Sequence, residues 1–203
     1  ITYLINLGYS RESINNRIDK FEFKSIDLTN QMDKIYSKLK KVMISLINDI
    51  RKNPDAYSSQ MGVSLSEVSA RSALAWNDAL AKVAQAKAED MANRDYFSHV
   101  DLDGYGVNYF IYKAGYEIPA SWYSDKSSNY FENIAAGNAT ADAMVKQLVY
   151  DGGRDNSSAG HRSSLLGISD WNSTCTDIGI GYAYNADSKY KHYWSVIIAK
   201  HGY

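Results

Sequence analysis

The chain of 203 residues holds a single cysteine, Cys175, and only two prolines. One thiol excludes any intrachain disulfide, so packing alone must hold the fold, and Cys175 itself reads as a buried structural thiol. That economy fits a cytosolic protein and equally a bacterial envelope protein that manages without disulfides. Neither charge sign is in excess: 22 Lys and Arg stand against 23 Asp and Glu, a net charge of -1. Without a basic patch, nothing electrostatic favours nucleic acid or an anionic membrane surface as partner. No run of about 18 apolar residues occurs, so no transmembrane segment is expected. A local metal motif of the His-Glu-x-x-His kind is missing too. The chain opens on Ile1 rather than Met, so any signal peptide or lipid-anchor cysteine would lie upstream of it.

What is present can build a core. Hydrophobic residues make up 45% of the chain, enough for one domain with a short appendage. Residues 1–29 mix charged and apolar positions without a sustained stripe and are expected to form an N-terminal extension or tether, leaving 30–203 as the domain. From Asn30, a plausible N-cap, Ile35, Leu39, Val42, Met43, Leu46 and Ile50 recur at helical spacing until Asn53-Pro54 stops the helix. A second helix follows Asn77 and runs to about Arg94. Val107 to Ala114 is a third, closed by Gly115, and residues 117–130 read as a loop. Thr140 caps a fourth, and Gly160-His161-Arg162 opens a fifth. Ile178, Ile180, Tyr182 and Tyr184 then alternate with Gly179, Gly181 and Ala183. With the turn at Asn185 to Ser188 and the β-rich run from Tyr190 to Ala199, this predicts an antiparallel hairpin. Helices around a small antiparallel sheet place the chain in the α+β class.

The residues able to carry chemistry are few. His99 follows Tyr96-Phe97-Ser98 just past the second helix, and His161 follows Gly160 at the start of a short one. Glu132 opens an otherwise apolar segment. Taken singly, each has an ordinary structural reading as a capping or hydrogen-bonded residue. His192 is explained by packing beside Trp194, and His201 is expected to be solvated near the terminus. Arg162 is expected to pair with a carboxylate that holds the short helix. Ser98 adjoins His99, but adjacency in sequence makes no nucleophile.

Together the segments resemble a known family. Trp76-Asn77-Asp78-Ala79-Leu80 with Tyr96-Phe97-Ser98-His99 resembles the second helix and first histidine of bacterial CAP-superfamily domains (cysteine-rich secretory proteins, antigen 5 and pathogenesis-related 1 proteins). Glu132-Asn133-Ile134-Ala135-Ala136-Gly137 is similar to that family's Glu-Asn-Ile-Ala-x-Gly signature. Gly160-His161-Arg162-Ser163-Ser164-Leu165-Leu166 resembles its Gly-His-Arg-x-Asn-Ile-Leu signature, with Ser164 and Leu165 in place of Asn and Ile. Leu46 to Pro54 resembles the family's first helix, and Ile178-Gly179-Ile180-Gly181 with Tyr193-Trp194 its closing hairpin. The blocks follow family order over roughly residues 30–203.

The resemblance implies a three-layer α-β-α sandwich with a cleft holding two histidines and two acids. His99, Glu132 and His161 carry over directly. Asp151 is the expected second acid and Asp155 its alternative. Two imidazoles and one or two carboxylates suit Zn²⁺ or another divalent ion, and could also serve as an acid/base pair. The same three residues are therefore the candidates for any catalytic role. The implied function is a secreted or surface-anchored binding module, with a lipid on the upstream segment as one form of anchor, taking a divalent ion, a small molecule, a lipid or a host or envelope protein or peptide. The alternative is a metal-assisted or acid/base hydrolase acting on peptides or envelope components. A monomer is expected.

Overall fold

The computed structural model describes the backbone of residues 11–201 and the side chains of residues 30–201. The chain falls into two compact units, 1–38 and 39–203. Residues 1–10 of the expected extension lie outside the described residues.

Helix α1 spans Arg11–Lys52 and ends, as the sequence predicts, before Asn53-Pro54. Its start differs from expectation. Asn30 lies inside it, because no glycine or proline interrupts residues 9–53, and a cap-competent side chain alone does not begin a helix. In the larger unit α1 buries Met43, Ile47 and Ile50, one face at helical spacing. Arg51 is buried beside them and donates from Nε to the Ser72 carbonyl and from Nη1 to the Leu165 carbonyl, both at 2.9 Å. A short helix, α2, follows at Ser58–Met61.

Strand β1 (Ala75–Trp76) leads into helix α3 (Asp78–Asn93). Asn77 caps α3 as expected, accepting from the Ala79 and Leu80 N–H groups. The rest follows in order: α4 (Val107–Lys113), β2 (Glu132–Ala136), α5 (Ala141–Tyr150), α6 (Gly160–Leu166), α7 (Asp170–Ser173), β3 (Asp177–Tyr184) and β4 (His192–Ala199). Thr140 caps α5 through the Ala143 N–H. The loop at 117–130 holds one 3₁₀ turn, Ala120–Trp122. It is organised from beneath by buried Asn108, which donates to the Trp122 carbonyl and accepts from the Tyr130 N–H.

The sheet has strand order β1-β3-β4-β2. The predicted hairpin pairs Asp177 with Ala199 through to Tyr184 with His192, and β2 joins β4 antiparallel. The two-residue β1 adds a parallel edge on β3, which makes the sheet mixed. Because β1 stops at Trp76, the edge of β3 beyond it is open. Gln85 of α3 closes part of that edge: its amide donates to the Tyr182 carbonyl (2.9 Å) and accepts from the Tyr182 N–H (3.2 Å). A side chain thus replaces the missing strand.

Helix α3 lies on β3 and β4. The alternation of large and small residues in β3 explains why. A Cβ on Gly179 would stand 2.2 Å from the backbone of Leu80 and Ala81, and one on Gly181 2.0 Å from the Ala84 carbonyl oxygen. The bare strand face lets the helix backbone settle onto the sheet, burying Leu80, Ala84, Ala88 and Met91. Helix α5 turns Met144, Val145, Leu148 and Val149 inward and packs with β2 and α6, completing the α-β-α layers.

Candidate functional site

Three elements bring the site together. His99 stands on the chain just after α3, Glu132 is the first residue of β2, and His161 is the second residue of α6. All three line one cavity of about 360 Å³, with Asn129, Tyr130, Arg154 and Trp171 among its other walls. Asp151 sits behind it, buried, at the end of α5.

Each histidine is held by one carboxylate. His99 Nδ1 lies 3.0 Å from Glu132 Oε2, and His161 Nδ1 lies 3.0 Å from Asp151 Oδ1. An ionised carboxylate can only accept, so each pair places the proton on Nδ1 and leaves Nε2 as the lone-pair nitrogen. The carboxylates are themselves fixed. Glu132 Oε1 accepts from the fully buried Ser195 hydroxyl (3.0 Å). Asp151 Oδ2 accepts from the His161 backbone N–H (2.8 Å), which also sets a negative charge at the start of α6. Asp151 adopts the left-handed conformation (φ +45°), which aspartate tolerates better than most residues. Asp155 does not reach the histidines; its carboxylate accepts from Ser157 and Ser158 within its own turn.

The imidazoles are partly exposed, 41% for His99 and 36% for His161, while the Glu132 side chain is wholly buried. Among the described residues no three His, Cys, Asp or Glu side chains converge as a metal cage. Glu132 and Asp151 stand where orienting partners of histidine ligands stand. Two imidazoles are fewer than the three protein ligands of an ordinary open zinc site, so a cation held on them would need water or a bound ligand to complete its shell. Among these residues no serine or cysteine is hydrogen-bonded to either ring: Ser195 turns to Glu132, and Ser164 accepts from Asn133.

Burial works against ionised Asp151. The His161 ring hydrogen bond and charge, with the His161 and Arg162 backbone N–H groups, outweigh it and hold the carboxyl below the ordinary aspartate range. A group whose folded pKa is depressed contributes stability present above its unfolded pKa, and that stability is lost as pH falls through the folded pKa. Asp151→Asn is therefore expected to lower stability at neutral pH and to flatten the loss of stability below about pH 4. Unfolding free energy measured against pH for both proteins checks this. An unchanged acid limb would mean that the Asp151–His161 contact contributes nothing.

Sequence reasoning passed over Lys87, Ser195, Tyr130 and Trp171, though Trp122 in the loop reads as a candidate binding surface. Lys87 is buried, and its Nζ donates to the Tyr96 hydroxyl (3.0 Å) and to the His99 carbonyl (3.1 Å), pinning the segment that carries His99. Burial pulls its pKa down, against the pull of Glu132 and two aspartates. Tyr130, Phe131 and Trp171 border the cavity; Tyr130 and Trp171 pack edge-on against Trp122, Phe131 is tilted against it and stacks on Trp171, and Lys200 Nζ lies 4.0 Å from the Trp171 ring centre. A larger cavity, about 490 Å³ between α3 and α4, is lined by Lys87 but by no histidine, and has no lining residue in common with this one. The histidine–carboxylate pairs make the smaller one the candidate site.

Three expectations need correction or refinement. Arg162 makes no hydrogen bond to a carboxylate. Fully buried, it donates to the carbonyls of Val149, Tyr150 and Arg154 and to Asn156 Oδ1. His201 is only partly solvated: its Nε2 lies 3.2 Å from Asp177 Oδ2 and its ring stacks on Tyr116. His192 does pack beside Trp194's partner Tyr182, and it also hydrogen-bonds the Tyr182 hydroxyl at 2.7 Å. Cys175 is buried as expected, its thiol pKa pushed up to about 11 by burial.

Residues 44–198 match the model of the CAP family, described as the cysteine-rich secretory protein family. The chain belongs to that family. It is similar in structure to an outer surface protein from Borrelia burgdorferi, with 21% identity, a TM-score of 0.52, and coverage of 79% of this chain and 91% of that one. It is also similar to an extracellular protein containing an SCP domain from Bacillus anthracis, with 21% identity and a TM-score of 0.47. That likeness covers 81% of this chain and 43% of the other. A comparison with curated proteins gives no match. No helix among the described residues is long and apolar enough to cross a membrane.

Proposed function

We propose that this chain is an extracellular or surface-held CAP binding module, residues 1–29 forming its tether, whose cleft takes a divalent cation of the zinc type on His99 and His161. One observation carries the reading: two histidines in one cavity, each with Nδ1 engaged by a buried carboxylate at 3.0 Å. That arrangement fixes both ring orientations and tautomers and raises the basicity of Nε2. Membership of a family described as secretory supports the extracellular setting, and a similar fold in an outer surface protein agrees with it. When bound, the ion would supply a Lewis-acidic centre for an oxygen- or nitrogen-bearing group of a small molecule, lipid headgroup or peptide. Glu132 and Asp151 keep the rings aimed, and Asn129, Arg154 and the aromatic wall supply polar and apolar contacts for the rest of that ligand.

Thermal melts in chelator and in Zn²⁺ test the proposal. A cation at 100 times its Kd stabilises the folded chain by about 2.7 kcal/mol. His161→Ala is expected to abolish that gain while costing about 1–3 kcal/mol in chelator, since buried Asp151 loses its ring partner. A wild type that does not respond to Zn²⁺ sinks the metal reading. Cleavage of a peptide library by the wild type and not by His161→Ala would replace the binding module by a hydrolase.

A further inference from the structure

The apolar face of α1 that buries Met43 and Ile50 in its own domain continues toward the N-terminus as an exposed run. Met32, Ile35 and Val42 are 37%, 50% and 39% exposed, whereas Met43, Ile47 and Ile50 are buried. The helix is 42 residues long, about 63 Å at 1.5 Å per residue. Once its continuity is known, a regular spacing emerges upstream. From Ile14 to Leu46 the sequence steps alternately by four and three residues through apolar positions, with Ser25 the single exception. That is a heptad pattern with a mean spacing of 3.5, sustained over more than four heptads, the signature of a left-handed coiled coil. A long helix with charged faces is marginal in water unless such a seam is covered.

We infer that α1 pairs with α1 of a second copy of this chain as a parallel, in-register coiled coil, in place of the monomer expected from sequence. The register selects the partner. With Met32 and Leu39 at a and Ile35 and Val42 at d, the g positions are Arg17, Lys24, Gln31 and Lys38, none of them acidic. Antiparallel pairing sets g against g and opposes these cations. Parallel pairing sets each g against the e position of the partner's next heptad, matching Arg17 with Glu22, and Lys24 and Gln31 with the uncharged Thr29 and Tyr36. Ser25 at an a position acts in the same sense. Only a parallel, in-register pair lets it meet its own hydroxyl rather than an apolar side chain. The two domains would then leave the coil at the same end.

Light scattering on the full chain is expected to give twice the 22.7 kDa chain mass at about 100 µM, well above a micromolar dissociation constant. The double variant Met32→Lys, Ile35→Lys is expected to give a single-chain mass with the domain's melting unchanged, since both positions are exposed. Under oxidation Ser25→Cys is expected to crosslink to itself. A single-chain mass for the wild type would overturn the inference. So would crosslinking confined to a mixture of Ser25→Cys with Ile35→Cys, which an antiparallel pair would give. Binding of the full chain to phosphatidylglycerol vesicles with no dimer in solution would assign the stripe to a membrane surface and overturn it as well.

Discussion

Arg162→Met is expected to lower the unfolding free energy by about 3–5 kcal/mol, because one buried guanidinium closes the end of α5 and the turn beyond it. Its Nε donates to the Val149 carbonyl at 2.6 Å and its Nη2 to the Tyr150 carbonyl at 2.8 Å. Nη1 reaches the Arg154 carbonyl and Asn156 Oδ1. The last carbonyls of a helix have no partner within it and must find one elsewhere. Methionine fills much of the stem's volume but donates nothing, so three backbone oxygens are left short, each at about 1–3 kcal/mol where water cannot enter. Burial already pulls the Arg162 pKa down, partly offset by Asp151 and Asp155, so some desolvation cost is recovered and the sum stays below the simple total. Arg162→Lys keeps the charge but cannot span four acceptors, and it is expected to lose about half as much. The same turn holds Asp151, so any Zn²⁺ response is expected to weaken with it. Denaturant unfolding of the three proteins measures the losses; a methionine variant within about 1 kcal/mol of wild type would refute the account.

Much of this architecture can be read from residues whose local chemistry has one outcome. Asn77 and Thr140 cap helices where they stand in sequence, Pro54 stops α1, and the large-small alternation of residues 178–184 forms a strand. The errors arise where long-range context decides. Asn30 can cap a helix but is overridden by a helix already running through it. Strand β1 is two residues long, too short for any periodicity, and exists because Ala75 and Asn77 donate to the Thr176 and Ile178 carbonyls. In the site, motif resemblance placed His99, Glu132 and His161 together, but pairing the His161 ring with its carboxylate needs the left-handed turn at Asp151, which no spacing rule reports. Two overlooked residues did leave a trace. Ser195 is a hydroxyl inside the apolar run of β4, and Lys87 is a cation seven residues after Leu80 and four after Val83, on the buried stripe of α3. A polar group within an apolar period must be satisfied by something specific, and here both lead to the site, one to Glu132 and the other to the His99 carbonyl.

Gly181→Ala is expected to cost at least about 3 kcal/mol, a drop in Tm of roughly 6–12 °C for a chain of this size. The added methyl would lie 2.0 Å from the Ala84 carbonyl oxygen, 2.1 Å from its carbon and 2.4 Å from the Gln85 nitrogen. All three are backbone atoms of α3, so no side chain can rotate aside and the helix itself must retreat. Retreat is opposed by the burial of Leu80, Ala84, Ala88 and Met91 and by the two Gln85 hydrogen bonds to Tyr182, which break if α3 lifts. The effect reaches the cleft, since Lys87 on α3 holds the His99 carbonyl; the Zn²⁺-linked rise in Tm should therefore shrink in the folded fraction. Gly160→Ala is the control. A Cβ there meets no protein atom within 4 Å, the φ is not left-handed, and the residue lines the cavity, so its stability should stay within about 0.5 kcal/mol of wild type. If the two alanine variants melt alike, the contact between α3 and β3 is looser than the bare strand face implies, and the packing argument fails at its centre.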